Sequence, residues 1–135
     1  MAGAIHPKAG TYHIVFDSST AGGAGTFRFR FWINDVTPPR AIVESRSVRR
    51  GAAVRIRVSD AGAGIDPRSL EATVDGRTVR ATLRNGIVAI PTARLTFGGH
   101  RLRVELGDYQ ETRNMENVPA ILPNTTRATA RFTIR

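Results

Sequence analysis

Asp35, Asp60, Asp66 and Asp108 are the residues best equipped for chemistry in this chain. Asp60 and Asp66 flank Gly62 and Gly64, and glycine's access to positive φ lets such a loop bend and gather its oxygens. Carboxylates are hard oxygen donors. A set of them on adjoining loops suits Ca²⁺, which takes roughly six to eight oxygens. The spacing is not that of an EF-hand, which needs D-x-[DN]-x-[DN]-G. The competing reading is structural: an Asp side chain accepts from nearby amides and holds a turn, and arginine is abundant enough to pair with any of the four. After Asp108 comes a polar stretch with Tyr109, Gln110, Glu111, Arg113, Asn114, Glu116 and Asn117, long enough to form a recognition loop.

Catalytic sets are harder to assemble. His6, His13 and His100 are the only histidines, far apart and with no metal-ligand spacing. No serine sits in a G-x-S-x-G elbow. Asp108 with Glu111 or Glu116 is a paired-carboxylate candidate, but such a pair needs a cleft. The glycine run at Gly22, Gly23 and Gly25 precedes a strand pattern rather than a helix, so no helix N-terminus is available for a phosphate. Asn124-Thr125-Thr126 fits the glycosylation pattern N-x-[ST]. The expectation is a non-catalytic protein with no cofactor other than Ca²⁺.

The elements that must position these residues are strands. Val54, Ile56 and Val58 alternate with Arg55, Arg57 and Ser59, and Leu102, Val104 and Leu106 with Arg101, Arg103 and Glu105. That period of two predicts half-buried strands with a cationic outer face. Further strand patterns cover 41–48, 72–74, 78–83, 87–90 and 126–134. Asp75-Gly76 and Asn85-Gly86 are hairpin signals. Asp66 followed by Pro67 predicts a cap on a single helical turn. No segment has a helical period of useful length. About seven short strands joined mainly by hairpins predict an all-β, immunoglobulin-like or fibronectin-type antiparallel sandwich over residues 38–135. In such a sandwich the four aspartates and the 109–124 segment fall at one pole. Before it, Tyr12, Ile14 and Phe16 and then Phe27, Phe29, Phe31 and Ile33 predict a β-hairpin within 10–34. A ribbon of two strands is not stable alone and has to pack on something. Pro38 and Pro39 end it, placing a boundary between residues 1–37 and 38–135.

Composition narrows the partners. Cysteine is absent, which excludes disulfides and thiolate sites. No apolar run is long enough for a membrane span, and Met1 to Pro7 lacks a signal peptide's pattern. The net charge of +9 is carried almost wholly by arginine. Spread over alternate strand positions, it reads first as a solvated, edge-protecting face. The rival is a cationic module that binds nucleic acid or another anionic polymer through its arginine-rich faces. Against stacking on bases, the phenylalanines of 27–31 alternate with the arginines and share no face with them.

Asp-x-Thr-Pro-Pro at 35–39, V-x-D-x-G-x-G-I-D at 58–66, Val74-Asp75-Gly76, and Gly99-His100-x-Leu102 before Asp108 together resemble bacterial immunoglobulin-like repeat domains of the fibronectin or Big type. The resemblance covers about residues 35–135 and departs from the pattern after Asp108, where residues 109–117 are inserted. It implies an accessory module, a spacer or a binding domain, in an exported or cell-surface bacterial multidomain protein. It makes residues 1–37 the end of a preceding repeat. Expected partners are neighbouring domains, a protein or an anionic polymer, or a second copy of the chain through 10–34, without membrane insertion.

Overall fold

The computed structural model describes residues 9–17, 20–23, 25–26, 28–32, 35–112 and 124–135. Among them the chain is built almost wholly of strands in two sheets: β1 (Arg40–Val43), β2 (Ser47–Val48), β3 (Val54–Ser59), β4 (Glu71–Val74), β5 (Arg77–Thr78), β6 (Thr82–Arg84), β7 (Ile87–Ile90), β8 (Gly98–Gly107) and β9 (Thr125–Ile134). One sheet has the order β1-β3-β7-β6, the other β2-β9-β8-β4-β5. All pairings are antiparallel except β2 with β9. No helix among the described residues is long and apolar enough to cross a membrane.

The alternation read from the sequence is the alternation of burial. Along β3, Val54, Ile56 and Val58 are buried while Arg55, Arg57 and Ser59 are exposed. β8 repeats this with His100, Leu102, Val104 and Leu106 inward. Between the sheets these side chains pack with Val48, Ala72, Val74, Val88, Ile90, Phe132 and Ile134 into one apolar core. Burying side chains of this size stabilises by about 1.5–3 kcal/mol each before the entropy of ordering is subtracted, which makes this layer the main adhesive of the fold.

The turns follow their residues. Asp75 and Gly76 have φ of 50° and 78°, and Asn85 and Gly86 have 48° and 71°, the left-handed pairs a two-residue hairpin demands. Asp66 caps a 3-10 turn at Pro67–Ser69 by accepting from the Arg68 amide at 2.9 Å.

Two expectations are corrected. The pattern at 78–83 is not one strand: β5 pairs with β4 in one sheet and β6 with β7 in the other, so residues 79–81 cross between layers. The segments 9–17 and 28–32 contain no strand among the described residues, so the expected hairpin within 10–34 is not seen there. Phe16 and Phe29 do meet, at 5.2 Å between ring centroids, but both stay more than half exposed, as do Tyr12, Ile14 and Phe31. With so little apolar area removed from water, nothing drives a two-stranded ribbon.

Candidate functional site

Both sheets deliver carboxylates to one end of the molecule. Asp60 follows β3 and Asp108 follows β8. Asp35 arrives on the segment that enters the sandwich. Oxygens of Asp35, Asp60 and Asp108 all lie within 4.8 Å of one another. Asp108 is fully buried and Asp35 is 9% exposed. Three like charges at this separation repel strongly in a low dielectric unless donors or a cation compensate them.

Backbone amides supply part of that compensation. Asp35 accepts from the Thr37 amide at 3.0 Å and, through Oδ2, from the buried Ala63 amide at 2.6 Å. Asp60 Oδ2 accepts from the amides of Gly62 at 3.1 Å and Gly64 at 2.6 Å. Asp108 Oδ2 accepts from Asn124 Nδ2 at 2.8 Å, and the same amide group donates to the Asp35 carbonyl at 2.6 Å. Gly62 is required by this arrangement: a Cβ there would overlap the Asp35 carboxyl group, at 2.6 Å even from the farther oxygen. Asp60 Oδ1 remains shut off from solvent with no hydrogen-bond partner. A hard divalent cation fits a pole so furnished. Asp35, Asp60 and Asp108 would be its carboxylate donors, and Asp60 Oδ1 is the oxygen that lacks any other partner.

Asp66 does not join them. It is buried at 2% exposure, beside the pole, with Oδ1 committed to its cap. Ile65 bridges to Asp108 in the ladder, which fixes the loop against the end of β8.

The polar stretch after Asp108 begins as one helical turn, Tyr109–Thr112. Its first two side chains hold the chain's own N-terminal segment. Gln110 Oε1 accepts from Trp32 Nε1 at 2.7 Å, and Tyr109 lies 6.3 Å from the Trp32 ring and 4.2 Å below the Arg30 guanidinium. Arg30 Nη1 also donates to the Ala63 carbonyl at 2.9 Å. Gln110 is 8% exposed, so it offers little to an outside partner. The Glu111 side chain and residues Arg113, Asn114, Glu116 and Asn117, also expected in the loop, lie outside the described side chains.

Arg30, Trp32 and Asn124 were not picked out for this site. For Arg30 and Trp32 the sequence signal, strand alternation, pointed to a ribbon instead. Asn124 stands out in the sequence only as a fit to the pattern N-x-[ST]. It is fully buried with its nitrogen already donating twice, so a glycan has no access to it.

His100 does not join this pole, and His6 lies outside the described residues. His100 is at the other end of β8. Its Nδ1 lies 2.7 Å from Asp75 Oδ2 and its Nε2 2.9 Å from the Thr96 carbonyl, and its ring stacks on Phe132 at 5.4 Å. Both ring nitrogens face acceptors, which only the imidazolium satisfies. The Asp75 hydrogen bond, then the Thr96 carbonyl, hold its pKa above the usual histidine value. The Asp75 carboxyl is held below the ordinary carboxylate range by the Arg101 amide first and by His100 second.

Comparison with known proteins returns no match: no family model, no curated protein sequence and no solved structure resembles this chain significantly.

Proposed function

We propose that the chain is a non-catalytic, immunoglobulin-like accessory module, a spacer or binding domain, of an exported or cell-surface bacterial multidomain protein. The strand order supports the immunoglobulin-like reading. Taking β1, β3, β7 and β6 as A, B, E and D, and β9, β8 and β4 as G, F and C, reproduces that architecture's two sheets. The carrying observation is the attachment of the entering chain. Arg30, Trp32 and Asp35 are bonded to Ala63, Gln110 and Asn124 at one pole, so whatever precedes the sandwich is held at a set orientation. A spacer needs such a joint, and an enzyme does not. The exposed Tyr12, Ile14, Phe16, Phe29 and Phe31 are, in this reading, covered by a preceding repeat or by a second copy.

Ca²⁺ at Asp35, Asp60 and Asp108 would stiffen that joint, because it would tie residues of the entering segment to both sheets. An antibody against the purified chain tests the export part: it should label intact producing cells, and labelling only after lysis would refute it. Thermal melting tests the ion. Saturating Ca²⁺ at 100 times its Kd stabilises by about 2.7 kcal/mol, and Asp60→Asn should abolish the gain. Identical melts with Ca²⁺ and with EDTA would remove the ion from the proposal.

A further inference from the structure

Two groups among the arginines differ in a way the sequence does not show. In one, each finds a carboxylate. Arg55 and Arg57 share Glu44, and Arg103 and Arg127 share Glu105. The other lies at the end of the five-stranded sheet away from Asp108. There Arg101 and Arg131 stand directly opposite each other across the β8–β9 ladder. Arg46 is on the adjoining strand approach, its carbonyl accepting from the Thr133 amide at 2.8 Å. Arg49 and Arg50 follow β2, and Arg135 follows β9 with its amide on the Val48 carbonyl. All six side chains are exposed, and none has an ion pair among the described residues. Like charges directly opposite on a ladder are destabilising, so the Arg101–Arg131 pair lowers the stability of the free protein.

The same sheet face supplies its own control. Four residues along β8, Glu105 stands opposite Arg127 and pairs with it at 2.8 Å. At the Arg101 end the available carboxylate, Asp75, bonds His100 Nδ1 and the Arg101 amide; the Arg101 charge acts on it without a direct ion pair, and Arg131 has no carboxylate of its own among the described residues. Two open hollows lie over this end. One of about 650 Å³ is lined by Arg46, Arg101 and Arg131 with Asp75, and one of about 570 Å³ by Arg49, Arg50, Arg135 and Phe97.

We propose that this end of the sheet, Arg46, Arg49, Arg50, Arg101, Arg131 and Arg135, binds the phosphodiester backbone of a linear anionic polymer. Neighbouring strands lie roughly 5 Å apart, so arginines borne on them form a dense row of charge, and the complementary ligand carries closely repeated charge. The guanidinium fork engages phosphate oxygens in pairs, which favours phosphodiester over a simple diffuse counter-ion cloud. The patch contains one exposed aromatic, Phe97, and the Arg50 guanidinium lies 5.3 Å above it, so the contacts are to backbone rather than to stacked bases. A nucleic acid and a polyol-phosphate wall polymer share this chemistry. The inference does not rest on the accessory-module reading: surface labelling of cells and polymer binding fail independently.

The test is fluorescence anisotropy on the full chain with three probes: labelled single-stranded dT20, labelled poly(glycerol phosphate) and labelled polyglutamate. With four to six contacts, log K should fall against log salt with a slope of about −3 to −4, a loss of about 50- to 300-fold between 50 and 200 mM salt. Arg101→Gln with Arg131→Gln should weaken binding at least tenfold and reduce the slope by about 1.4. Arg49→Gln with Arg135→Gln should act in the same direction, so that a folding defect in one pair leaves the other to decide. Arg55→Gln with Arg57→Gln should change affinity less than twofold. Binding to both phosphodiesters assigns the shared backbone, and binding to one assigns the source. Equal losses from all three arginine pairs, tighter binding to polyglutamate, or no binding to either phosphodiester at 50 mM salt would overturn the proposal.

Discussion

Gly62→Ala is the sharpest perturbation of the acidic pole, because a single methyl acts there through one carboxylate. Gly62 lies outside the left-handed region of φ, so alanine brings no backbone strain. The whole effect is steric: the methyl occupies the position of the Asp35 carboxyl, which must withdraw from the Ala63 amide. That bond is buried and charge-assisted, and losing such a bond costs about 2–3 kcal/mol. For a chain of this length that corresponds to a Tm lower by about 6–9 °C. Gly99→Ala is the matched control: a Cβ there meets nothing within 4 Å, so its melt should equal that of the parent or rise by up to about 4 °C as the unfolded chain loses freedom. Trp32 is the single tryptophan and bonds Gln110 at this pole, so its fluorescence reports local opening while far-ultraviolet circular dichroism reports the sheets. Asp35→Ala removes the same bond from the other side, so the double variant should be little worse than the worse single variant. A Gly62→Ala melt indistinguishable from that of Gly99→Ala would refute the reasoning. So would strict additivity with Asp35→Ala.

Other outcomes follow from the same contacts. Because His100 carries a raised pKa in the folded state, its contribution is fully present below the unfolded value near 6.5 and is lost as pH rises through the folded value. Stability should therefore fall across that interval, and His100→Gln should flatten the Tm-against-pH curve there. Asp75, lowered in the folded state, contributes above its unfolded value, and its share should disappear only in strong acid, below about pH 4. Asn124→Asp places another carboxylate against Asp35 and Asp108 and removes a donor to both residues; urea unfolding should show a loss of about 3 kcal/mol or more at pH 7, partly restored at pH 4. Glu44→Gln breaks two exposed ion pairs and should cost under about 1 kcal/mol in the same assay. Phe132→Ala empties the core beneath His100 and should cost about 3–5 kcal/mol.

The legible parts of the fold were those written in a local code. Val54 to Ser59 and His100 to Leu106 announce strand and inner face together, because a period of two leaves no other way to bury one side. Asp75-Gly76 and Asn85-Gly86 announce their turns through backbone freedom alone. Residues 78–83 were misread because alternation says which side chains are inside but not which sheet receives each end. Phe29 and Phe31 misled for a related reason: alternation without a third layer to pack on does not make a strand. The pole was legible in Asp35, Asp60 and Asp108, whose places follow from strand order. Asp66 left the set because its own cap claimed it. The difference between Arg127 and Arg131 was invisible, since it lies in what the register of β8 puts opposite each.

The placement of β9 has a consequence for biosynthesis. Thr125–Ile134 is an interior strand, seated between β2 and β8, and it carries Phe132 and Ile134 into the centre. During translation the β1-β3-β7-β6 sheet can pair early, whereas β2 waits for its one ladder neighbour: Ser47 pairs with Thr133, made 86 residues later. Such long-separation closure is slow. Until β9 emerges, one edge of β8 and the core face that Phe132 and Ile134 cover stay open, and an open edge of this kind invites pairing with another chain.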